Sequence, residues 1–299
     1  MTVLALQQAR SHVRALTQLS KPRVVSLVVF CAVVGMLLST SSLPDMWRVT
    51  AAIGGISLVA GAAAMVNCLV ERAIDMRMCR TARRATVTGE IRPIEVGSVA
   101  LLLGSVGMVI LLAFVNALTA WLTLATFVGY AVIYTVWLKP LTPQNIVIGG
   151  ASGAMPPLLG WTAVTDEVNA MALVLFLIIY TWTPPHFWAL ALYRREDYRR
   201  VGLPMLPVTH GERFTTRAII LYTLLLLGTT LLPLALGQSG WFYLICALLL
   251  NMRLILLAMR LHRNYDDGLS RKLFTWSIWY LTWLFVALLV DHYWLIPVS

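Results

Sequence analysis

Ala51-Ala-Ile-Gly-Gly-Ile-Ser-Leu-Val-Ala-Gly-Ala-Ala-Ala-Met-Val-Asn67-Cys-Leu-Val-Glu71-Arg-Ala-Ile-Asp75-Met-Arg77-Met-Cys-Arg80-Thr-Ala-Arg83-Arg84 is the stretch on which the reading of this chain turns. Its first half is an uncharged apolar run, the composition of a membrane-spanning helix. At its end stand Asn67, Glu71 and Asp75, spaced i, i+4 and i+8. On a helix each step of four residues drifts only about 40°, so the three side chains share one face. Three oxygen donors at the mouth of a membrane helix, followed at once by Arg77, Arg80, Arg83 and Arg84, point to one ligand above others, a magnesium-bound diphosphate. Mg²⁺ takes oxygen donors, commonly one or two carboxylates plus phosphate oxygens. Arginines clasp diphosphate oxygens by bidentate hydrogen bonds. The plainer reading is a charged cytoplasmic loop whose i,i+4 pairs serve the helix alone.

Composition places the whole chain in a bilayer. Of 299 residues, 59% are hydrophobic and 12% charged, against about 25% charged in a soluble domain. The net charge of +10 would point to nucleic acid in a soluble protein. Here it follows from basic residues collecting on the cytoplasmic side of a membrane. Cys31, Cys68, Cys79 and Cys246 show no metal-ligand or CxxC spacing and read as free thiols. The segment 1–23 is basic, holds no acidic residue and lacks the core and cleavage site of a signal peptide. It is expected to be a cytoplasmic, interfacial lead-in to the first span.

Taken in order, the hydropathy gives nine spans at roughly 24–42, 50–70, 96–115, 118–138, 144–164, 168–192, 218–236, 240–259 and 273–291. With nine spans nearly every Lys and Arg falls on one side, and Arg48 is the lone basic residue opposite. That asymmetry predicts a cytoplasmic N-terminus. Arg253 falls inside the eighth span and is expected to snorkel or face the bundle. The expected fold is all-α, one domain over 1–299, a polytopic bundle of about nine transmembrane helices around a central cavity.

Two loops are long, 71–95 and roughly 193–217, both on the basic side. The second opens with Tyr193-Arg-Arg-Glu-Asp197, whose Tyr193 and Asp197 repeat the i,i+4 spacing of Glu71 and Asp75. Two polar clusters thus stand at equivalent ends of the second and sixth spans. A cavity between them would hold one diphosphate from both sides. Small residues and the pair Pro156-Pro157 predict close packing and a kink in the fifth span. The sixth span carries Pro184-Pro185-His186-Phe187-Trp188. An ionisable residue at that depth is a functional candidate, with a plain interhelical hydrogen bond as the alternative.

The chain resembles the UbiA-type intramembrane prenyltransferases, and within them the haem-farnesylating branch. The likeness runs from Lys21 to the last span. It is carried by Lys21-Pro-Arg-Val, the stretch Asn67 to Arg84, Tyr134-Thr-Val-Trp-Leu-Lys139, Asn145 to Pro157, Tyr180-Thr-Trp-Thr-Pro-Pro-His-Phe-Trp and Gly202-Leu-Pro-Met-Leu-Pro-Val. The resemblance implies that Asn67, Glu71 and Asp75 hold Mg²⁺, that Arg80 and Lys139 contact the diphosphate, and that Asp197 and Tyr193 stand in the second acidic motif. Asp197 is then a further metal ligand. Glu71 and Tyr193 depart from the aspartates usual at their positions, and Ala73 from one frequent in this branch. The implied reaction moves a farnesyl group from farnesyl diphosphate to a vinyl group of haem b, with Arg84, Tyr193, His186 and Trp188 on the substrates. The implied setting is a bacterial inner membrane, with haem A synthase or terminal oxidase assembly proteins as partners. Rival readings are another aromatic acceptor such as 4-hydroxybenzoate, a transporter, or a non-catalytic assembly subunit. A transporter would place its polar residues near the midplane, not at one face.

Overall fold

The computed structural model describes residues 3–78 and 81–294, and among them every regular element is helical. Helix α1 (Val3–Leu19) leads into α2 (Pro22–Leu38), followed by α3 (Met46–Val70) and α4 (Pro93–Phe114). Next come α5 (Ala117–Leu141), α6 (Asn145–Ala154), α7 (Pro156–Thr165), α8 (Ala170–Tyr193) and the short α9 (Arg195–Arg200). The chain ends with α10 (Gly211–Ala235), α11 (Trp241–Arg263) and α12 (Asp267–Tyr293). The two long loops are those expected, each folded into short helical turns, at Arg72–Asp75 and Ala85–Thr88 in the first and Leu206–Thr209 in the second.

The expectation of nine spans is not met as stated. Among the described residues seven helices are long and apolar enough to cross a membrane, or eight if Arg10–Leu19 and Pro22–Leu38, bent by 51°, form one span. Helix α2 alone has 17 residues. The fifth expected span is divided at Met155 into two helices of 10 residues each. The reason is local: a proline lacks the N–H for the helical ladder and crowds the residue before it. Pro184 and Pro185, by contrast, lie inside an unbroken α8. Which side the N-terminus occupies rests on the basic-residue asymmetry alone.

Helix α8 is the inner column, with 67% of its apolar window buried against 22% for α4 and α5. It packs on α6, α10 and α12, and a ring of contacts runs α2, α3, α5, α6, α8, α12 and back to α2. The small residues of the fifth segment serve packing, as expected. A Cβ on Gly160 would lie 1.8 Å from the Ala32 carbonyl oxygen, and one on Gly35 would lie 2.0 Å from that of Pro157. Helices α2 and α7 therefore touch backbone to backbone. Arg253 does not enter the bundle: it is exposed on α11 with its guanidinium 3.8 Å over the Trp276 ring.

The polar clusters at the ends of α3 and α8

The i, i+4, i+8 spacing is realised as a continuous helical path. Glu71 N–H donates to Asn67 O at 3.0 Å and Asp75 N–H to Glu71 O at 2.8 Å. The three side chains are buried, at 2%, 6% and 2% exposure for Asn67, Glu71 and Asp75. Buried charge persists only when it is matched, and here each oxygen group meets a cation from elsewhere in the chain. Lys21 Nζ donates to Asn67 Oδ1 at 2.6 Å. Lys139 Nζ is ion-paired with Glu71 Oε1, and Arg84 with Asp75 Oδ2. The Asn67 amide nitrogen donates to Glu71 Oε1 at 2.9 Å and to Thr135 Oγ1 at 3.1 Å. Asn67 is the hub of the cluster, and every one of its side-chain polar atoms is used.

Two backbone features deliver the cations. Lys21 caps α2 at φ 52°, ψ 60°, the left-handed region that L-residues other than Gly, Asn and Asp seldom occupy. That conformation turns the chain between α1 and α2 and directs the lysine across to α3. In α5 the segment Gly129–Leu138 is a π-helix, closed by Lys139 N–H to Tyr134 O. Such widened turns are rare and gather at functional sites. Here the widening lets Thr135 Oγ1 donate to Tyr130 O at 2.7 Å while accepting from Asn67. Gly149 of α6 admits the Tyr134 ring, which a Cβ would meet at 2.1 Å.

The electrostatics of Glu71 follow. Burial by itself pushes its carboxyl upward, but the Lys139 charge and hydrogen bond, with help from Lys21 and Asn67, outweigh that and hold it below the ordinary carboxylate value.

The second cluster is built differently. Asp197 pairs with Arg194 of its own turn at 3.5 Å, and among the described residues makes no ion pair with the first cluster. Tyr193 is flanked by the Arg194 and Arg271 guanidiniums, 5.5 and 5.4 Å from its ring centre. Arg195 is paired with Glu212. Tyr193, Arg194, Asp197, Tyr265 and Asp267 line an open pocket of about 220 Å³. Among the described residues no three His, Cys, Asp or Glu side chains converge on one point. The expected four-residue metal set of Asn67, Glu71, Asp75 and Asp197 is therefore divided. The first three follow one another along the helical path, and Asp197 is paired with its own arginine. The chemistry of those first three, one amide oxygen and two carboxylates, fits a hard divalent cation such as Mg²⁺.

Arg80 lies outside the described residues. His186 is buried on α8, with Nδ1 2.7 Å from Ser277 Oγ. Trp188 is buried against Tyr222, at a centroid distance of 5.3 Å. Lys21, Thr135 and Ser277 were not singled out by spacing. Lys21 was marked only by standing before Pro22 in the stretch that carries the resemblance.

Residues 28–290 match the family described as the UbiA prenyltransferase family. A protein of Chromobacterium violaceum named protoheme IX farnesyltransferase 1 is 66% identical over 299 residues, all of both chains. A protoheme IX farnesyltransferase of Azoarcus sp. is 60% identical over 285 residues, 95% of each chain. Among solved structures, a digeranylgeranylglyceryl phosphate synthase superposes with a TM-score of 0.81 at 18% identity, over 95% of this chain and 100% of that one. A UbiA homologue from Archaeoglobus fulgidus, bound to DMAPP and Mg²⁺, superposes with a TM-score of 0.64 at 13% identity, over 91% and 98%. At those identities the solved structures speak for the fold.

Proposed function

This chain belongs to the UbiA prenyltransferase family, and from that premise we propose that it moves the farnesyl group of farnesyl diphosphate onto a vinyl carbon of protohaem IX, releasing diphosphate. The observation that carries the reaction class is the buried cluster in which Asn67, Glu71 and Asp75 are each matched by a cation, Lys21, Lys139 and Arg84. The haem acceptor is supported by full-length relatives that bear that activity in their names.

The roles follow from the charges. Asn67, Glu71 and Asp75 would supply the oxygen donors for Mg²⁺, which when bound neutralises diphosphate charge as the leaving group departs. Lys21, Lys139 and Arg84 would take the diphosphate oxygens, with Arg80 as a further contact. Cations already in place cost no reorganisation when charge develops on the leaving group. Asp197 and Tyr193 approach the same head group from the second loop. The farnesyl C1–O bond breaks, and the apolar walls keep bulk water from the resulting allylic cation. The haem vinyl group attacks C1. Water then adds to the carbon left electron-poor beside the pyrrole and loses a proton, which gives a hydroxyethylfarnesyl substituent. His186 and Trp188 hold the acceptor. The basic asymmetry supports the cytoplasmic face as the side of this chemistry, in a membrane we read as a bacterial inner membrane.

The test is purified protein in detergent with haem b, farnesyl diphosphate and Mg²⁺, followed by mass spectrometry of the haem. A farnesylated, hydrated haem is expected. A prenylated 4-hydroxybenzoate in a parallel tube, with haem unchanged, would keep the family reaction and overturn the acceptor.

A further inference from the structure

We infer that His186 ligates the iron of the acceptor haem through Nε2, and that Ser277 is the positioning residue that prepares it. This inference rests on the haem-acceptor reading above.

Ser277 has one hydroxyl hydrogen to give. Its Oγ lies 2.6 Å from Phe274 O. A carbonyl only accepts, so that contact takes the hydroxyl hydrogen. What Ser277 Oγ has left for His186 Nδ1, 2.7 Å away, is a lone pair. Nδ1 therefore carries the hydrogen and donates, and in the neutral ring the free lone pair sits on Nε2. This is the tautomer a metal ligand needs, and a hydrogen bond at the far nitrogen is the usual way a ligating histidine is oriented and made more basic.

The rest of the ring is immobilised. Trp182 stacks on it at 4.3 Å and 19°, and Phe274 at 4.5 Å and 27°. Two near-parallel rings at such distances cannot share one face, so each face is covered. Trp182 is in turn tied to α12, its Nε1 donating to Ser277 O at 2.8 Å. Ser277 thus holds His186 by its side chain and the stacking tryptophan by its carbonyl. Nε2 makes no hydrogen bond among the described residues and is not among the fully buried polar atoms left without a partner, so it is the ring atom open to a ligand. The side chain is 8% exposed and stands seven residues, or about 10 Å, from the end of α8.

The same surroundings select the ligand. Among the described residues no second or third His, Cys, Asp or Glu joins His186. One imidazole cannot build a metal site alone. It can complete one for a metal that arrives with its other ligands attached, and haem iron does so, with four macrocycle nitrogens and an open axial position. The apolar aromatic walls suit the macrocycle edge as well.

The test binds ferric haem b to the purified full chain in detergent, without farnesyl diphosphate, and reads visible absorption, electron paramagnetic resonance and, after reduction, the iron–histidine stretch by resonance Raman. Wild type is expected to show a histidine-ligated haem. His186→Ala should lose that signature and regain it with added imidazole. Ser277→Ala should keep the haem, lower the iron–histidine stretching frequency and weaken haem binding about tenfold, with Ser277→Thr restoring both. An unchanged spectrum in His186→Ala overturns the ligand assignment. An unmoved stretch in Ser277→Ala overturns the positioning role. Wild type that farnesylates haem without any histidine signature refutes this inference alone. Wild type that neither binds nor farnesylates haem sinks the acceptor reading with it.

Discussion

The ends of α3 and α8 carry polar clusters of the same spacing, and they are not the same kind of place. At α3 the oxygens are buried, held by Lys21, Lys139 and Arg84 from three other parts of the chain. At α8 Asp197 is partly exposed and its acid–base contact is Arg194, three residues back. A local pair in solvent contributes little and reorganises easily. A buried set drawn from distant segments forms only when the whole bundle is in place, and losing one member leaves a charge stranded. The α3 cluster is thus pre-organised, and the α8 cluster is held by a local pair alone.

Substitutions should separate the two ends by the size of their effects. Chelation of divalent metal is the largest: turnover in the haem assay should vanish with EDTA and return with Mg²⁺. Next, Glu71→Gln and Asp75→Asn should each lower kcat by roughly 10²–10³-fold, the scale for removing a pre-organised charge contact. Asp197→Asn should cost about tenfold, felt mostly in KM for farnesyl diphosphate, as expected for a group that joins only when ligand arrives. If Asp197→Asn proves as damaging as Asp75→Asn, the two clusters are equal partners and the contrast drawn from burial is wrong. Lys21→Met sharpens the point from the other side. It leaves Asn67 Oδ1 without its donor and should lower kcat about 10²-fold, although it lies 46 residues away in sequence.

What could be read from the chain alone divides along the same physical line. Hydropathy revealed the membrane helices because burial in lipid demands long apolar runs. It passes over a break such as the one at Met155, where one expected span becomes two helices of 10 residues each. The shared face of Asn67, Glu71 and Asp75 was legible because helix period is a local property. Their cations were not, because the meeting of Lys21 and Lys139 with α3 is set by packing across the bundle. The widened turns of Gly129–Leu138 have no compositional mark, so the route by which Thr135 reaches Asn67 was invisible. Equal spacing at the two loops invited the inference of equal roles, since spacing reports which residues share a face and says nothing about how deeply that face is buried. His186 stood out as an ionisable residue in a span, but its tautomer depends on Ser277, a residue 91 positions away.

The smallest expected effect concerns stability, and its sign is what matters. Glu71 is held below the ordinary carboxyl value of 4.5 by Lys139, Lys21 and Asn67, against the upward push of burial. A carboxyl with a lower value folded than unfolded adds stability that is fully present above the unfolded value. That stability is lost as pH falls through the folded one. Thermal unfolding in detergent, followed from pH 7 down through the carboxylate range, should show wild type losing roughly 2–4 °C that Glu71→Gln does not lose. Lys139→Met should reverse the sign. Without the lysine, burial dominates, Glu71 rises above its unfolded value, and acidification through that range protonates a stranded carboxylate and stabilises the fold. A Lys139→Met protein that still loses stability on acidification as wild type does would mean that Glu71 draws its support from Lys21 and Asn67 instead, and that the link between α3 and α5 is not the one that holds this end of the bundle together.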